Sequence, residues 1–480
     1  MKLLVSFILC LWLSSCSLSP TETTIVIYST NDTHAQIDNY AKVAAFLDNE
    51  RTKYTNMLVL SSGDMFSGNP LVDQYPEKGY PIIKLMNQIG YQYAAFGNHE
   101  FDYGQTSLQK CRDHATFEML CANMKVDPQA AFIKQPKPYS LIEIDNIQIA
   151  ILGLVEANRS RTGKLHPSAH PDRLKGLHFQ SPIKSALEYK YLRNQCDLFI
   201  ALTHIGYQTD TELANAMPEL DLIVGGHSHT RIDSSLYINE VLITQAEAYL
   251  NYIGKTTITF VDKQIKEKKF ELINVSTLKA QRTDIKEQIQ KYHDESPLRQ
   301  VLTQSTHPFR GKHSLGNLMA DAFKEIHDFD IAFQNWGGIR IKEQPEGNFT
   351  INDVFRLDPF DNNLVVYEMT TDEICDLLKN SYQPYSKQID LIPSGLNYKI
   401  HTRDGKVTRI TLTDKQGKPL EKKRRYKVGM NNYISSSYRF KHSLPGKELS
   451  STTSEALITF LKQRKSITPQ PSPRGVVLEN

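Results

Sequence analysis

Residues 93–102, which read YAAFGNHEFD, decide the fold of the first part of the chain. A short apolar run, Tyr93–Phe96, ends at a glycine and is followed at once by an Asn-His-Glu triplet, with Asp102 two residues further on. Short apolar runs that end at glycine or polar residues are typical of buried strands in an α/β domain. Polar side chains directly after such a strand stand where α/β sheets bind ligands.

The same arrangement occurs four more times in the first half of the sequence. In each case a polar cluster directly follows a short apolar run, so we expect the five clusters to converge on one site at the carboxyl ends of the strands. The predicted strands are 24–29, 57–60, 93–96, 147–154, 198–202, 222–224, 241–244 and 256–260. The clusters are Asn31, Asp32, Thr33 and His34; Gly63 and Asp64; Gly97, Asn98, His99 and Glu100, with Asp102; Thr203, His204 and Gly206; and Gly225, Gly226, His227, Ser228 and His229.

These residue types favour a pair of divalent metal ions. The six cysteines include no C-x-x-C pair, so a metal must be held by His, Asp, Glu or Asn. Imidazole combined with carboxylate oxygen suits Zn, Mn or Fe better than Mg or Ca. Two such ions, about 3.5 to 4 Å apart, clamp the attacking and leaving oxygens of a displacement at phosphorus. They need a bridging carboxylate, for which we choose Asp64, and the predicted nucleophile is a metal-activated hydroxide.

The composition excludes several classes of protein. The 480 residues are 40% hydrophobic and 23% charged, which is ordinary for a soluble globular chain and unlike a disordered, collagen-like or polytopic membrane protein. Lys and Arg number 56 against 53 Asp and Glu, so the formal net charge is only +3. This near-balance lacks the one-sided positive field of a nucleic-acid scaffold, and we expect no nucleic-acid partner.

The amino terminus is typical of an exported protein. The apolar stretch Leu3–Leu13 is shorter than the ~20 residues of a membrane-spanning helix and is typical of a signal peptide. The next residues read Ser-Ser-Cys and resemble the bacterial lipoprotein box, so we interpret 1–16 as a signal peptide with lipobox and 17–23 as a tether. We therefore expect a cell-envelope protein, in the periplasm or at the outer membrane or cell surface, anchored by a lipid on Cys16. The alternative is a plain signal peptide cut near Ser15.

The remaining sequence divides into two α/β regions. We predict a first domain over 24–275, a linker helix within 276–300 and a second domain over 301–480. A charged, Lys/Glu/Gln-rich stretch separates two strand-rich regions and carries a narrow apolar stripe of Ile285, Ile289 and Tyr292. A helix with one narrow apolar stripe is what an interdomain linker needs.

Polar residues predict where three helices begin. In the linker, Asp284 and Glu287 form a capping-box pattern. In the second region, Ser314 is a predicted N-cap, and Thr370 with Glu373 predicts the start of a further helix.

The order of these motifs resembles the calcineurin-like metallophosphoesterases. N-D-x-H, G-D, G-N-H-E-x-D, T-H-x-G and G-G-H-x-H occur in that order between Asn31 and His229. The second region is similar to that of the exported two-domain 5′-nucleotidase family, and the resemblance spans about residues 24–445. The second-region motifs are S-x-G-N-L-x-x-D-A at Ser314–Ala322, N-x-G-G-I-R at Asn335–Arg340 and a P-F segment at Asp358–Phe360.

The resemblance implies a fold and a dinuclear metal centre. The implied fold class is α/β, a four-layer αββα metallophosphoesterase sandwich with a second α/β substrate-binding domain. His99 is not expected to be a metal ligand. It is expected to face the phosphoryl group, and Asp102 is expected to orient its imidazole. One ion is expected on Asp32, His34, Asp64 and His229, and the other on Asp64, Asn98, His204 and His227.

The resemblance also implies a substrate site in the second domain, formed by Asn335, Gly338, Arg340, Phe360 and Tyr433. Arg340 is expected to bind an anionic end of the substrate, and Phe360 and Tyr433 to stack on a nucleobase. The alternative for both aromatics is a place in the core. After Tyr433 the family has a Gly-Gly-Asp-Gly turn whose carboxylate binds the ribose, and this chain lacks it. We therefore expect weak discrimination between ribo- and deoxyribonucleotides, about tenfold or less.

The sequence thus predicts metal-dependent hydrolysis of phosphate monoesters, most of all nucleoside 5′-monophosphates, in nucleotide catabolism. A second interpretation is a 2′,3′-cyclic-nucleotide phosphodiesterase or a nucleotide-sugar hydrolase on the same scaffold. A third, from another class, is a non-catalytic envelope lipoprotein that binds its ligand. A protein that only binds would not need both His99 and Asp102.

Overall fold

The computed structural model describes residues 21–159, 163–360, 362–384 and 386–479. The predicted signal peptide, including Cys16, lies outside these ranges, as does most of the predicted tether. Among the helices of the described ranges, none combines the length and the apolar character that crossing a membrane requires.

Two six-stranded sheets make up the first domain. The central strands of each sheet run parallel. Antiparallel strands extend the first sheet at one edge and the second sheet at both edges. The first sheet has the order Gln264–Asn274, Tyr252–Val261, Glu22–Thr30, Met57–Ser61, Tyr93–Ala95 and Glu118–Leu120. The second has the order Leu236–Ile238, Val241–Thr244, Leu222–Val224, Leu198–His204, Ile147–Val155 and Tyr139–Ile144.

The strand Glu22–Thr30 shows how the layers form. Side chains alternate along a strand, so Ile25 and Ile27 enter the core between the two sheets while Val26 and Tyr28 enter the core beneath the outer helices. Burial on both faces explains why these strands read as continuous apolar runs. The predicted four-layer αββα arrangement is confirmed. The outer helices are Tyr40–Arg51, Tyr80–Ile89 and Gln105–His114 on the first sheet, and Pro182–Glu188 and Tyr207–Ala216 on the second.

A helix joins the two domains and packs on the first. It spans Thr283–Glu295, and the predicted apolar stripe is buried in the same core as the outer helices of the first sheet. At its start, the Arg282 amide donates to the Ala41 carbonyl over 2.9 Å. Near its end, His293 Nε2 lies 2.7 Å from Asp38 Oδ1.

The structure contradicts one of the two predicted capping boxes and contains the other. The capping box of Asp284 and Glu287 is wrong: the N-cap is Arg282, without a side-chain cap, and Arg282 Nε donates to the Asp284 carboxylate over 2.9 Å. The capping box of Thr370 and Glu373 is present, and it starts the helix Thr371–Ser381.

The second domain is built on a five-stranded mixed sheet with helices packed against it. A three-stranded sheet lies beside it, and this sheet contains the last strand of the described chain. The five-stranded order is Leu391–Ser394, Ile331–Asn335, Tyr426–Asn431, Asn363–Met369 and Lys447–Thr452. The three-stranded order is Lys406–Thr413, Asn397–Arg403 and Gly475–Glu479, and the longest helices are Gly311–Ile326, Thr371–Ser381 and Thr453–Lys462.

The helix of the S-x-G-N-L motif begins earlier than the sequence predicts. Its N-cap is Arg310 and it starts at Gly311, so the predicted N-cap Ser314 lies inside the helix and is buried. The Gly311 amide donates to the Lys342 carbonyl over 2.8 Å. The first amide of this helix is therefore bound by a residue 31 positions later in the sequence. The sequence around Gly311 does not show that the helix begins there.

Candidate metal centre and active site

The structure brings all seven candidate metal ligands to one edge of the paired sheets. Within the described ranges, three groups of side chains place their ligand atoms within 4.8 Å of one another. The amide of Asn98 adjoins them, because its Oδ1 lies 3.0 Å from His227 Nδ1. The three groups are Asp32, His34 and His229; His34, Asp64 and His99; and Asp64, His204 and His227.

Asp32 and Asp64 lie between two clusters of imidazoles. On one side, His34 Nε2 is 3.1 Å from His229 Nε2, which in turn is 3.4 Å from Asp32 Oδ1. On the other side, His204 Nε2 is 3.1 Å from Asp64 Oδ2. Asp64 Oδ2 is also 4.0 Å from His34 Nε2, so this carboxylate faces both clusters. That position is the one a bridging ligand needs.

The hydrogen bonds of the histidines leave bare nitrogen lone pairs inside the site. His204 Nδ1 is 2.6 Å from the Ser62 carbonyl, so Nδ1 donates to this carbonyl and Nε2 is the nitrogen left for a cation. Among the described residues, the buried His204 Nε2 makes no hydrogen bond, and its nearest charged neighbour is Asp64 Oδ2 at 3.1 Å. His34 Nδ1 likewise lies 3.0 Å from the Ser67 carbonyl. Bare imidazole nitrogens beside carboxylates fit a divalent cation such as Zn or Mn, and backbone carbonyls that fix the tautomer are typical of metal sites.

The pKa values of the buried side chains also indicate a site for positive charge. Burial would lower the pKa of His204, but the charges of Asp64 and Asp32 oppose it and raise this pKa to about 10. Burial would raise the pKa of Asp64, yet the imidazoles of His204 and His99 hold it well below its usual range. The two carboxylates therefore attract positive charge at this position.

The backbone around the ligands adopts a conformation that residues other than glycine rarely take. A positive φ costs free energy for such residues and persists where the surrounding structure enforces it, which is common at functional sites. Five of the seven candidate ligands have one: Asp32 (48°), His34 (46°), Asp64 (50°), His227 (79°) and His229 (52°).

Two glycines of the motifs are needed for space. A Cβ on Gly97 would lie 2.1 Å from Asp64 Oδ1, and one on Gly226 would lie 2.7 Å from the Ser62 carbonyl oxygen. Both glycines therefore let the loops that carry Asn98 and His227 approach the neighbouring strand end. This explains their place in the G-N-H-E and G-G-H-x-H motifs.

His99 and Asp102 form a hydrogen-bonded pair beside the candidate ligands. His99 Nδ1 lies 2.6 Å from Asp102 Oδ2, within a short turn of 3₁₀ helix at His99–Phe101. Burial would lower the pKa of His99, but the charges of Asp102 and Asp64 raise it to about 9. Because Nδ1 is held by Asp102, Nε2 is the nitrogen left to face a substrate.

Glu100 has a role that the sequence analysis missed. Its buried carboxylate accepts the backbone N–H groups of Asp64, Met65 and Gly97, the first two over 2.9 and 2.7 Å. It therefore joins the loops that follow two neighbouring strands. Burial and the charge of Asp64 raise its pKa to about 7. The sequence signal is its place in the G-N-H-E motif, directly after Asn98 and His99.

Glu156 and Asn31 were also missed. Glu156 directly follows the strand Ile147–Val155, and its Oε2 lies 3.6 Å from His227 Nε2. It stands where the polar clusters of the other strands stand, which was the available signal. Asn31 Nδ2 donates to Asp32 Oδ2 over 2.7 Å and so holds one candidate ligand.

In the second domain, Arg340 follows the Gly-Gly loop, and its positive charge acts to lower the pKa of His99. Arg340 is exposed, its guanidinium lies over the ring of Phe360 at 5.3 Å from the centroid, and its charge acts on the pKa of His99. A Cβ on Gly338 would lie 2.5 Å from Gln334 Nε2 and 2.8 Å from Asn335 Oδ1, so a larger residue here would displace these side chains. Asn335 is buried and its Oδ1 accepts from Asn431 Nδ2 over 2.8 Å, which gives it a structural contact at the base of the loop.

Tyr433 lies at the surface where the two domains face each other. It is on the helix Asn432–Ser437, is 38% exposed, and its ring centroid is 6.0 Å from that of His170 in the first domain. A core position for Tyr433 is therefore wrong. Phe360 is half-buried and contacts Arg340.

Two known families match the sequence in tandem. Residues 25–231 match the calcineurin-like phosphoesterases, and residues 294–439 match the 5′-nucleotidase C-terminal domain. The fold and the site thus define a metal-dependent phosphoester hydrolase of the calcineurin-like class. The chain belongs to the proteins that join this metallophosphoesterase domain to a 5′-nucleotidase C-terminal domain.

Individual relatives match most of this chain at low identity. The trifunctional nucleotide phosphoesterase YfkN of Bacillus subtilis is 26% identical over 471 residues, which cover 85% of this chain and 32% of that protein. A 5′-nucleotidase of Vibrio cholerae is 27% identical over 423 residues, covering 75% of this chain and 74% of that protein. The crystal structure of a 5′-nucleotidase precursor from Thermus thermophilus superposes with a TM-score of 0.74 at 25% identity, covering 95% and 99%. The chain spans about a third of the first relative and about three quarters of the second.

Proposed function

We propose that this protein hydrolyses phosphate monoesters, and nucleoside 5′-monophosphates above others, with the help of two divalent metal ions. The observation that carries the proposal is the convergence of seven metal-ligating side chains with the His99–Asp102 pair at one edge of the paired sheets. Relatives named as nucleotide phosphoesterase and 5′-nucleotidase support the substrate class.

In this proposal each ion has four protein ligands, and Asp64 belongs to both sets. When bound, two such ions lower the pKa of a coordinated water and neutralise charge on the phosphoryl oxygens. The carbonyls of Ser62 and Ser67 orient His204 and His34 for this purpose. One set is Asp32, His34, Asp64 and His229, and the other is Asp64, Asn98, His204 and His227.

His99 acts on the reacting phosphoryl group and the leaving oxygen. With Nδ1 bound to Asp102, its Nε2 can hold the proton that the leaving alkoxide takes up. Asp102 fixes the ring and its tautomer. A protein that only binds its ligand has no use for this pair, which favours the enzyme over the non-catalytic lipoprotein.

The second domain supplies substrate binding. Arg340 is an exposed guanidinium on a glycine loop facing His99, and a planar fork of this kind pairs with the oxygens of a phosphate. Phe360 lies under Arg340, and Tyr433 offers an exposed ring for stacking a base. Gly338 packs closely against the side chains of Gln334 and Asn335, and Asn335 accepts a hydrogen bond from Asn431.

The experiment is a hydrolysis assay on purified protein with Mn²⁺ or Zn²⁺. The substrates are AMP, a 2′,3′-cyclic nucleotide, a nucleotide sugar and ribose 5-phosphate, with inorganic phosphate as the readout for the monoesters. We expect AMP to have the highest kcat/KM. A higher value for the cyclic nucleotide or the nucleotide sugar would support the corresponding phosphodiesterase or pyrophosphatase, and no turnover of any ester would support the binding protein.

We further propose that the protein is exported and held in the cell envelope by a lipid on Cys16. The support is the sequence of residues 1–16, which lie outside the described ranges. An anchored nucleotidase would act on nucleotides outside the cytoplasm.

A further inference from the structure

His170 lies next to the candidate active site at the boundary between the domains. Its ring meets that of Tyr433 edge-on, with centroids 6.0 Å apart and an interplanar angle of 61°. Two residues earlier, the Ser168 carbonyl accepts from Asn98 Nδ2 over 3.4 Å, and the Ser168 amide donates to Glu156 Oε1 over 2.5 Å. The segment that carries His170 is therefore attached to the metal centre.

The segment is also fixed to the loop of the His99–Asp102 pair. Gln105 Nε2 donates to the carbonyls of Arg173 and Lys175 over 3.0 and 2.8 Å. Gln105 starts the helix that follows Asp102. The imidazole of His170 thus has a defined position relative to the place where the leaving group must lie.

His170 presents an N–H group that has no partner. Its Nδ1 accepts the Asp172 amide over 3.2 Å, so the neutral ring carries its proton on Nε2. Among the described residues, no hydrogen-bond partner lies at this Nε2, although the atom is buried. Buried donors are nearly always paired, and one left unpaired beside an active site is a place for a ligand acceptor.

A carboxylate from the second domain lies close to the same position. Within the described ranges, both hydrogen bonds that Glu448 accepts end on Oε1, from Asn363 over 2.7 Å and from Asn432 over 3.3 Å. Asn432 precedes Tyr433 in the chain. Burial lowers the pKa of His170, and the charge of Glu448 is one of those that oppose this shift. Glu448 is exposed, and among the described residues its Oε2 accepts no hydrogen bond, so this oxygen is available to a ligand.

We propose that His170 and Glu448 bind the hydroxyl groups of a sugar diol in the leaving group of the substrate. His170 Nε2–H donates to one hydroxyl oxygen, and Glu448 Oε2 accepts a hydroxyl proton, while Tyr433, whose ring contacts His170, stacks on the base that the sugar carries. The inference rests on the proposed function for the position of the phosphoryl group. It makes ribose-bearing esters the preferred substrates and replaces our expectation from the sequence of weak ribo-over-deoxy discrimination.

The chemistry of this pair favours a diol over other ligands. The charge of Glu448 opposes a phosphate at its Oε2, although the positive charges of Arg173 and Lys175 act on the same two side chains. A metal ion would need a bare nitrogen, whereas the Nε2 of His170 carries the proton. A donor beside a charged acceptor is the combination that binds neighbouring hydroxyls, because each hydroxyl both donates and accepts.

The test measures binding rather than turnover. Equilibrium binding of adenosine and 2′,3′-dideoxyadenosine is compared for the full chain and its variants. Glu448→Gln keeps an oxygen for the two asparagines but loses the charge, and His170→Phe keeps a ring against Tyr433 but loses the N–H. His170→Gln restores a donor, and Glu346→Gln, at an exposed carboxylate of the second domain, is the matched control.

We expect the unmodified chain to bind adenosine at least about tenfold more tightly than the dideoxy compound, the range for a hydrogen bond to a charged group. Glu448→Gln and His170→Phe should each reduce this ratio to about twofold, with His170→Gln intermediate and Glu346→Gln unchanged. Equal affinity of the unmodified chain for both nucleosides, no binding of either, or an unchanged ratio in both variants would overturn the inference. AMP hydrolysis by the same preparation tests the proposed function separately, since it requires no diol preference.

Discussion

Asp64 Oδ1 accepts the backbone N–H of His99 over 2.9 Å. The other oxygen of the same carboxylate, Oδ2, lies 3.1 Å from His204 Nε2. Asp64 therefore links the loop of the His99–Asp102 pair to the imidazoles of the second sheet. The imidazole of His99 itself is bound to Asp102, so the backbone and the side chain of His99 have separate roles that substitutions can distinguish.

Asp64→Asn should remove both metal ions from the isolated protein. An amide is a poor bridge between two cations, and both ligand clusters face this carboxylate. Asn98→Ala should weaken mainly one ion, because Asn98 adjoins only the His204–His227 side through His227. Elemental analysis of the purified variants measures this, with Asp233→Asn, at an exposed ion pair, as the control. Unchanged metal content in the Asp64 variant would contradict the assignment.

His99→Ala should lower kcat by roughly 10² to 10⁴ while metal content stays the same. The reason is that the side chain acts on the leaving oxygen and its Nδ1 is already bound to Asp102. Asp102→Asn should lower kcat by less, since the ring remains. Steady-state kinetics combined with metal analysis make the measurement. Loss of metal in the alanine variant would instead place His99 among the ligands, in the group it forms with His34 and Asp64.

The strands and the ligand clusters could be predicted because their signals are local. An apolar run buried on both faces, such as Leu222–Val224, is directly followed by its functional residues, and the carboxyl ends of the strands meet at one edge. Glu100 and Glu156 also follow strands directly, but their roles, like that of His170, cannot be read from this position alone. Their roles depend on hydrogen bonds and ring contacts with residues that are distant in sequence, or on the orientation of the second domain.

The S-x-G-N-L-x-x-D-A motif shows the opposite case, in which a recognised motif has a structural role. Asp321 forms two hydrogen bonds with the guanidinium of Arg474, over 2.6 and 2.7 Å. Asn317 Nδ2 donates to the carbonyls of Gln470 and Ser472 over 2.7 and 3.1 Å. The motif thus fixes the C-terminal segment of the described chain, a contact that nothing near the motif indicates.

Asp321→Ala should reduce the free energy of unfolding of the second domain by about 1–3 kcal/mol. The Arg474 side chain is only 12% exposed, so it would lose its carboxylate while still largely buried. Glu325→Ala on the same helix removes the more exposed partner of Arg464 and should cost at most ~1 kcal/mol. Urea denaturation followed by circular dichroism compares the two. Equal losses would show that the Asp321 contact adds nothing beyond a surface ion pair.

Cys16→Ala should abolish labelling by a radioactive fatty acid and release the protein from the membrane fraction. The physical reason is that the acyl chains are the proposed source of membrane affinity, and no helix of the described ranges is long and apolar enough to span a bilayer. Cys196→Ala, at a half-buried position in the first domain, is the control. Membrane retention of the Cys16 variant would point to a different anchor or a tightly bound partner.

Asp73 should make the stability of the first domain fall as pH rises. Its carboxyl is buried, accepts the Gly68 amide over 3.0 Å and the hydroxyl of Tyr103, and burial raises its pKa from 3.8 to about 7. The folded protein therefore holds a proton between pH 4 and 7 that the unfolded chain has released. Folding takes up that proton, so this contribution to stability is complete below about pH 4 and is lost as pH rises through 7.

Asp73→Asn should remove this dependence, because the amide stays neutral at every pH. Between pH 5 and 8 the unmodified protein should lose up to about 3 kcal/mol relative to the variant, since each pKa unit corresponds to about 1.4 kcal/mol. Urea midpoints of both proteins at the two pH values measure the difference, and Asp233→Asn, at an exposed position, should follow the unmodified protein. Parallel pH profiles for the protein and its Asp73 variant would show that the carboxyl titrates in its ordinary range, and then the bonds from Tyr103 and Gly68 would outweigh its burial.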